Sequence, residues 1–377
     1  MIFFKKKNKE NGFDFPLIIF TFLLFLFGTA MVFSAGAPYA YARYNDSYYF
    51  IKRQLIWGTI GILTMIAASK IPISIYKKAA KPLYIFTLLL LILVLVVGLV
   101  GNGAKRWISI GPLTIQPSEI AKLSLILMLA KYFSDCEASR EKRYKKDIFK
   151  YGTLFPLSIM LVPIILVMLQ KHLSCIIILG LLGLLITVSA GVDTRYIRFC
   201  CMLGASFVTA FALFTDYTKE RITVWRNPEA YKLTGGWQTL QGLMAIGSGG
   251  IFGVGYGNSI MKHCYVSEPA NDMIFAILAE ELGFIGAGLA ILLFAFLIQR
   301  GLKIAIKSQD SFSRLVAIGI SLKMAIQVLL NIGVVTNTIP NTGISLPFFS
   351  YGGSSLIMIF FEMGLLLSIS KNAKITK

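Results

Sequence analysis

The sequence predicts an all-α polytopic membrane protein with ten transmembrane helices, both termini in the cytoplasm, and a long extracytoplasmic loop between spans seven and eight. Hydrophobic residues make up 56% of its 377 residues and charged residues only 15%, whereas soluble proteins carry roughly 25% charged residues. Apolar runs of about 20 residues, long enough to cross a bilayer as helices, recur along the chain. The distribution of Lys and Arg then orients these helices.

The predicted spans lie near residues 14–34, 53–69, 82–100, 117–134, 153–169, 173–190, 197–214, 273–298, 315–336 and 352–370. With a cytoplasmic N-terminus, the cytoplasmic segments hold roughly twice as many Lys and Arg residues as the opposite side, as the positive-inside rule requires. The net charge of +19 therefore reflects topology, and we predict no nucleic-acid partner. The domains are a tail at 1–13, one membrane domain at 14–370 and a tail at 371–377.

The first apolar segment could be mistaken for a cleaved signal peptide. It is about 20 residues long, and no clear small-x-small cleavage site follows it before the second span. We therefore predict a retained first span. Spans two and three are ordinary apolar runs, and Lys52 and Arg53 mark the start of span two.

Span four opens with "QPSEIAKL", which places Pro117 near the first helical position. Glu119 and Lys122 are spaced i,i+3, so they lie on one face within ion-pair reach. Two interpretations remain open. The pair is either an internal salt bridge that fixes helix packing or a polar pair presented to a cavity that opens outward. Spans five to seven are mainly apolar.

The loop between spans seven and eight, 215–272, is about 58 residues long, and structureless loops of that length are uncommon unless they are functional. Its middle, 238–246, is apolar enough for a short interfacial or re-entrant helix, and polar backbone at membrane depth requires protein or a water-filled cavity around it. We take Gln241, in this stretch, as a substrate-binding candidate. The chain has no GxxxxGKS nucleotide-binding motif, so we predict no nucleotide cofactor.

The segment that opens span eight, "VSEPANDMIFAILAEELG", concentrates four carboxylates. Asp272 lies at the outer start of this span. It is either a first-turn acid stabilised by the helix N-terminus or a general base whose pKa is raised by partial burial. Helix geometry places Glu280 about 12 Å deeper and Glu281 on the opposite face, so we predict that both find other partners. Glu268 receives no role.

Lys323 in span nine and Glu362 in span ten are further intramembrane charges, which we expect to be packing partners. Between these spans, the stretch "NTGISLPFFSYGGSSL" precedes a helix whose N–H groups could face an oxyanion. Ser354 is the binding candidate there, although tight packing also explains the glycines.

Cations gather on the outer side, where the positive-inside rule expects few: Lys52, Arg53, Lys105, Arg106, Arg221, Arg226 and Lys232. Each alone could be a solvated or membrane-anchoring charge. Together they indicate an anionic ligand on the outer face, and arginine suits bidentate phosphate binding. The five cysteines show no CxxC spacing, and the two histidines are too few for a histidine-rich metal site.

Four segments together resemble the SEDS family, which includes FtsW, RodA and SpoVE. They are "GAKRWISIGPLTIQPSEIAKLSLI", "GGWQTLQGLMAIGSGGIFGVGYGNS", "EPANDMIFAILAEELGFIG" and "GISLPFFSYGGSSL". They occur in the family's order along a chain with ten predicted spans, so the resemblance covers essentially the whole sequence. The second segment resembles the FtsW/SpoVE branch more closely than RodA.

The resemblance implies a peptidoglycan glycosyltransferase in the cytoplasmic membrane of a bacterium, active on its outer face in cell division, shape or sporulation. Asp272 would deprotonate the GlcNAc 4-hydroxyl of acceptor lipid II, which would attack the donor glycan with inversion and displace undecaprenyl pyrophosphate. Glu119 and Lys122 match the family's pair that lines the central cavity, and Arg221 matches its loop arginine. We predict that these three residues bind substrate, together with Arg53 and Arg106. The resemblance also implies a class B penicillin-binding protein as partner and a divalent cation, Mg²⁺ or Mn²⁺, at the pyrophosphate.

The sequence departs from the family pattern in two places. Ala270 and Asn271 stand where His-Thr is common, and residues 170–175 read "QKHLSC" where many members have "QPDLGT". We assign no role to 170–175. Two other functions remain open: a transporter that flips lipid II and a scaffold that only recruits the transpeptidase.

Overall fold

The computed structural model describes residues 12–101, 104–110, 113–138, 150–192 and 216–373, together with residues 198, 202 and 204. The helices of this described part are α1 (Phe15–Tyr44), α2 (Tyr49–Lys70), α3 (Ile73–Val97), α4 (Pro117–Ala138), α5 (Phe155–Leu169), α6 (Leu173–Ser189), α7 (Asp216–Arg226), α8 (Trp237–Gly249), α9 (Ile274–Lys307), α10 (Ser311–Val335) and α11 (Gly353–Asn372). A π-helical turn at Lys150–Leu154 leads into α5, and a 3-10 turn at Pro228–Tyr231 follows α7.

Seven of these helices are long and apolar enough to cross a membrane, namely α1, α2, α3, α5 with its preceding turn, α9, α10 and α11. The prediction of a multi-pass helical membrane protein is therefore confirmed. Spans four and six correspond to α4, which carries several charges, and to α6, which is shorter. Span seven, 197–214, lies outside the described residues apart from 198, 202 and 204, so the number of ten spans stays a prediction.

Several helices extend beyond the predicted spans. Helix α1 continues to Tyr44, α3 begins at Ile73, and α9 continues to Lys307. Hydropathy detects only the apolar stretch that matches the hydrocarbon thickness, whereas a helix continues until a capping signal ends it. Asn45, for example, adopts φ 54° and closes α1 through its N–H, which donates to the Tyr41 carbonyl.

The expectation of an all-helical chain was wrong at one place, because a small antiparallel sheet connects α3 to α4. Its strands are β1 (Leu99–Gly101), β2 (Ala104–Ile110) and β3 (Leu113–Ile115), in the order β1-β2-β3. The third predicted span, 82–100, therefore ends as a helix at Val97. The "AKRWISI" stretch of β2 alternates apolar and polar residues only over its last three positions, 108–110, which is too short for a strand to be predicted from periodicity.

The helices alternate in direction, so functional segments collect at one end of the bundle, which we call the site end. It contains the connections α1–α2, α3–α4, α5–α6 and α10–α11, together with residues 216–273. At the opposite end, Arg300 Nε lies 2.8 Å from Asp14 Oδ1, and the Lys371 ammonium lies 4.5 Å from the Phe13 ring centroid. The start of α1 and the end of α11 therefore lie at the same end of the bundle.

A buried ion pair joins α10 to α11 within the bundle. Lys323 Nζ lies 2.6 Å from Glu362 Oε1, and both side chains are 1% exposed. The expectation that these two residues are packing partners is confirmed. Removing one member of such a pair typically costs about 3–5 kcal/mol, because the remaining charge stays buried without its partner.

Candidate active site

Asp272 lies at the site end, immediately before α9. The N-cap of α9 is Met273, and no side chain caps the helix. Asp272 therefore precedes the N-cap and does not cap α9. Asn331 of α10 fixes the backbone of Asp272. Its Nδ2 donates to the Asp272 carbonyl at 2.8 Å and to the Ile344 carbonyl at 2.7 Å. Asp272 is thereby held between α9, α10 and the segment that follows α10.

A chain of amide hydrogen bonds orients the Asp272 carboxylate. Gln238 Nε2, on the first turn of α8, lies 3.4 Å from both Asp272 carboxylate oxygens. Gln238 Oε1 accepts from Asn341 Nδ2 at 3.1 Å, and Asn341 Oδ1 accepts from the Gly343 N–H at 3.1 Å. The backbone donor at the end of this chain determines the orientation of both carboxamides, so Gln238 presents its N–H groups to the carboxylate.

The carboxylate is open on the side of Gly343. This glycine is exposed, has φ 66°, and a Cβ built on it would lie 3.8 Å from Asp272 Oδ2. A hydrogen atom in place of a side chain leaves room for another group to approach that oxygen. The positive φ also favours glycine at this position.

The pKa of Asp272 is raised from 3.8 to about 6, mainly because burial disfavours the charged form and secondly because of the Glu268 carboxylate. The Gln238 hydrogen bond and the Arg221 charge lower the pKa but only partly offset this rise. A carboxylate with a pKa near 6 is deprotonated at neutral pH and remains basic enough to accept a proton from an activated hydroxyl. Glu268, which received no role from the sequence, thus influences the base.

A cavity of about 260 Å³ adjoins Gln238 and lies between α7, the start of α8 and the segment after α10. It is lined by Glu220, Arg221, Val224, Trp225, Gly235, Gln238, Thr239, Asn337 and Asn341. Asp272 is not among these residues, and the Gln238 side chain connects the cavity to its carboxylate.

Two of the predicted binding residues come from the long loop, and the structure places them differently. Arg221 of α7 lines the cavity and donates through Nη1 to the Asn341 carbonyl. Gln241 is buried in α8, one turn beyond Gln238, and is not among the residues that line the cavity. Gln238, which the sequence analysis did not single out, is the residue that contacts Asp272. Gln238 precedes Gln241 by three residues, and this i,i+3 spacing was the sequence signal that could have indicated Gln238.

The prediction of a Glu119–Lys122 ion pair in α4 is confirmed, since Lys122 Nζ lies 2.7 Å from Glu119 Oε1. Both residues are buried, and Glu119 Oε2 has no hydrogen-bond partner in the described part of the chain. Nearby, burial and the charges of Arg106 and Lys122 lower the pKa of His172 to about 3, so this histidine is neutral. The pair is therefore an internal salt bridge with one unpartnered acceptor.

The remaining predicted binding residues lie at the site end but make no recorded contact with Asp272. The Arg53 guanidinium lies 4.3 Å from the Tyr49 ring centroid and bonds to the Tyr351 hydroxyl, and the Tyr351 N–H donates to the Ala270 carbonyl at 2.8 Å. Arg106 Nη2 donates to the Lys171 carbonyl. The Ser354 hydroxyl is buried without a partner among the described residues. A role in binding stays a prediction for all three.

Glu280 and Glu281 do find other partners, as expected, but both contact the same segment. Glu280 Oε1 accepts from the backbone N–H groups of Ile260 and Met261, at 2.9 and 3.3 Å. Glu281 Oε1 lies 2.8 Å from Lys262 Nζ and accepts from the Ser34 hydroxyl at 2.6 Å. We predicted different neighbours for the two carboxylates, and Ser34 does contact Glu281, but residues 259–262 contact both of them.

Residues 250–262 lie alongside α9 rather than beyond its end. The Val254 N–H donates to the Glu280 carbonyl at 3.0 Å, and the Phe284 N–H donates to the Gly250 carbonyl at 2.9 Å. At about 1.5 Å per residue, the first contact lies roughly 9 Å along α9 from its start, and the second lies just beyond Gly283, where α9 is kinked. Gly283 permits the contact, since it has φ 67° and any Cβ there would collide with the Gly253 nitrogen.

Helix α8 and residues 250–262 therefore pack along α9. Several N–H groups in the irregular stretch 254–261 are satisfied by carboxylates and carbonyls of α9. Glu280 and Glu281 are thus structural acids that hold this segment in place. Residues 250–262 in turn position α8, whose first turn carries Gln238. The re-entrant character of 238–246 stays a prediction.

The described residues contain no group of three His, Cys, Asp or Glu side chains that could hold a metal ion by themselves. A Mg²⁺ ion that binds substrate phosphates needs only one or two protein carboxylates. Asp272 is the one carboxylate on the amide chain described above, and Glu268 is bonded to Asn271. This donor set does not build a dedicated metal site, so we assign no protein ligands to a cation.

Comparison with known proteins gives consistent matches over almost the whole chain. The model of the cell cycle protein family FTSW_RODA_SPOVE matches residues 15–375. Stage V sporulation protein E of Bacillus subtilis is 40% identical, over 97% of this chain and 99% of the relative. The probable peptidoglycan glycosyltransferase FtsW of Geobacter metallireducens is 35% identical, over 98% of each chain.

Solved structures with the same fold were also found. The Rod shape determining protein RodA of Thermus thermophilus has a TM-score of 0.71 and 27% identity, covering 97% of this chain and 98% of its own. A chain from a study of the structural coordination of polymerization and crosslinking by a peptidoglycan synthase complex has a TM-score of 0.79 and 27% identity, covering 95% of this chain and 97% of its own.

Proposed function

This chain belongs to the FtsW/RodA/SpoVE family of cell cycle proteins, and on that premise we propose that it is a peptidoglycan glycosyltransferase that polymerises lipid II. The observation that carries the assignment is the Asp272 carboxylate, which amide hydrogen bonds orient next to a cavity and whose pKa is about 6. A protein that only moved lipid would not need a base tuned in this way.

In the proposed reaction, Asp272 accepts the proton of the GlcNAc 4-hydroxyl of acceptor lipid II. The oxygen forms a bond to the anomeric carbon of the donor MurNAc on the face opposite the leaving group. The bond from that carbon to the pyrophosphate oxygen breaks, and undecaprenyl pyrophosphate leaves with the electron pair. The configuration at the anomeric carbon is inverted. The exposed Gly343 beside Asp272 Oδ2 provides the space for the acceptor hydroxyl.

The residues that would bind the substrates are proposed in the same way. Arg221 lies on the cavity wall and its charge acts on Asp272, which supports a role at the reacting groups. Arg53, Arg106 and Ser354 lie at the site end, where cations and an unpartnered hydroxyl suit a pyrophosphate. Glu119 and Lys122 are buried, so a substrate could reach them only if the bundle opens. Gln241 stays a candidate from the sequence alone.

We place the site end on the outer face of the cytoplasmic membrane, with ten spans and both termini in the cytoplasm. Two features support this topology. The first and last described helices share one end of the bundle, as an even number of spans requires. Lys and Arg are more frequent in the segments assigned to the cytoplasm. The loop 215–272 would then be extracytoplasmic, where the sugars of lipid II are polymerised.

We also propose a class B penicillin-binding protein as partner. The structural neighbour from a synthase complex that couples polymerization with crosslinking supports this, because crosslinking requires a transpeptidase. Mg²⁺ or Mn²⁺, if required, would neutralise the pyrophosphate, and its ligands would come mainly from the phosphates.

Two assays on vesicles that contain the chain, its partner and labelled lipid II separate the candidate functions. A glycosyltransferase produces polymer. A flippase moves lipid II across the bilayer without producing polymer, and a scaffold does neither. We expect polymer, and lipid translocation without polymer would overturn the proposal in favour of a transporter.

A further inference from the structure

The cavity beside Asp272 is lined by three side-chain carboxamides, those of Gln238, Asn337 and Asn341. A carboxamide has both hydrogen-bond donors and an acceptor, so it can bind hydroxyl and acetamido groups in either direction. Two of them are already oriented, because Asn341 Nδ2 donates to Gln238 Oε1 and Gln238 Nε2 faces Asp272. A ligand held by these amides would therefore lie within reach of the carboxylate.

The charges in the cavity wall balance each other. Glu220 and Arg221 contribute one charge of each sign, and the Arg221 guanidinium already donates to the Asn341 carbonyl. A pyrophosphate placed here would face the Glu220 carboxylate, and like charges at close range are costly. A neutral ligand meets no such repulsion.

Trp225 adds an aromatic side chain to the same wall. Its Nε1 donates to the Asn337 carbonyl at 2.9 Å, so the indole is held in place by the backbone. Aromatic rings bury apolar surface and leave a polar edge for hydrogen bonding, and the C–H groups of a pyranose ring pack well against them. Carboxamides with an indole suit a sugar ring better than a lipid tail.

The size of the cavity suits about one ring. Its volume of about 260 Å³ is below the roughly 300–1,000 Å³ of pockets for drug-sized ligands. The second ring of a disaccharide would extend beyond it.

We propose that this cavity binds a single N-acetylhexosamine ring, the one whose hydroxyl Asp272 deprotonates, and that it excludes the pyrophosphate of the donor. The assignment rests on the proposed glycosyltransferase function and adds to it the location of the acceptor sugar. Asn337 and Trp225 bind the ring, and Gln238 links its position to the carboxylate.

The test uses two soluble probes on the full chain in lipid nanodiscs, N,N′-diacetylchitobiose for the sugar and farnesyl pyrophosphate for the anion. Asn337→Gly removes one carboxamide, and glycine readily adopts the φ of 55° found at this position. Trp225→Ala removes the indole from a different element. Glu229→Gln is the matched control, since Glu229 is exposed and is not among the cavity-lining residues. Saturation-transfer NMR measures the affinity for each probe.

We expect Asn337→Gly and Trp225→Ala each to weaken chitobiose binding about tenfold, the scale of one lost buried hydrogen bond or ring contact. Binding of farnesyl pyrophosphate should change less than twofold, which also verifies that both variants are folded. Glu229→Gln should change neither affinity. Chitobiose should also inhibit lipid II polymerisation by the unmodified chain.

Failure to bind chitobiose, or chitobiose binding that neither substitution weakens, would overturn the cavity assignment. A larger loss of farnesyl pyrophosphate binding than of chitobiose binding would also overturn it and would assign the cavity to the donor. Polymer formation by a chain that binds no chitobiose here would contradict the cavity assignment alone. Chitobiose binding by a chain that forms no polymer would contradict the glycosyltransferase function, while the assignment of a sugar site to the cavity would still hold.

Discussion

The Gln238 carboxamide lies 3.4 Å from both oxygens of the Asp272 carboxylate, and Asn341 fixes its orientation from the other side. Asp272 is therefore positioned by side chains from α8 and from the α10–α11 connection, two parts of the chain that are about 100 residues apart. Its reactivity depends on this arrangement as well as on its burial.

Gln238→Ala should lower the polymerisation rate about tenfold at neutral pH, because the carboxylate loses the hydrogen bond that orients it. Gln238 also lowers the pKa of Asp272, so its removal should move the acidic limb of the pH profile to higher pH. Gln299→Ala, an exposed glutamine on α9 near the opposite end, is the control. An unchanged pH profile would show that Gln238 does not act through Asp272.

Glu268→Gln should move the acidic limb to lower pH. Asp272 must be deprotonated to act as a base, so the rate of the unmodified chain should fall as the pH drops through about 6. The Glu268 carboxylate raises that pKa, and its neutralisation therefore extends activity toward acid. A pH profile of kcat/KM for both proteins measures this, and a shift in the opposite direction would contradict the electrostatic account.

Arg221→Ala should have the opposite effect on the pH profile, because the Arg221 cation lowers the pKa of Asp272. It should also lower the rate of lipid II polymerisation more than Lys232→Ala does, since Lys232 is exposed and is not among the residues that line the cavity. Initial polymerisation rates on lipid II compare the two variants. Equal effects of the two substitutions would mean that the total positive charge of the loop matters, and not the position of Arg221.

Lys262→Met should destabilise the protein by about 3 kcal/mol or more, because it leaves Glu281 buried and unpaired. The double variant Lys262→Met with Glu281→Gln should recover part of that loss. Lys52→Met is the matched control, since the Lys52–Asp46 pair is exposed and such pairs contribute about 0–1 kcal/mol. Thermal unfolding in detergent measures the three variants, and equal losses for Lys262→Met and Lys52→Met would contradict a structural role for the buried pair.

The sequence predicted the helical membrane fold well because hydrophobic runs are local. It also predicted the Glu119–Lys122 ion pair, whose i,i+3 spacing determines the contact. It missed Gln238 and the cavity, since those depend on how α7, α8 and the segment after α10 meet in space. The sequence missed the shared neighbours of Glu280 and Glu281 for the same reason. Helix geometry gives the direction of each side chain but does not reveal that residues 259–262 contact both carboxylates.

The central claim is that Asp272 is the catalytic base, and the most direct test is the initial rate of lipid II polymerisation by Asp272→Asn at pH 7.5. Asparagine has nearly the same shape but cannot accept the proton, so the rate should fall at least about a hundredfold, as the loss of a general base predicts. Binding of lipid II should be retained. A rate within threefold of the unmodified chain would contradict the assignment of Asp272 as the base.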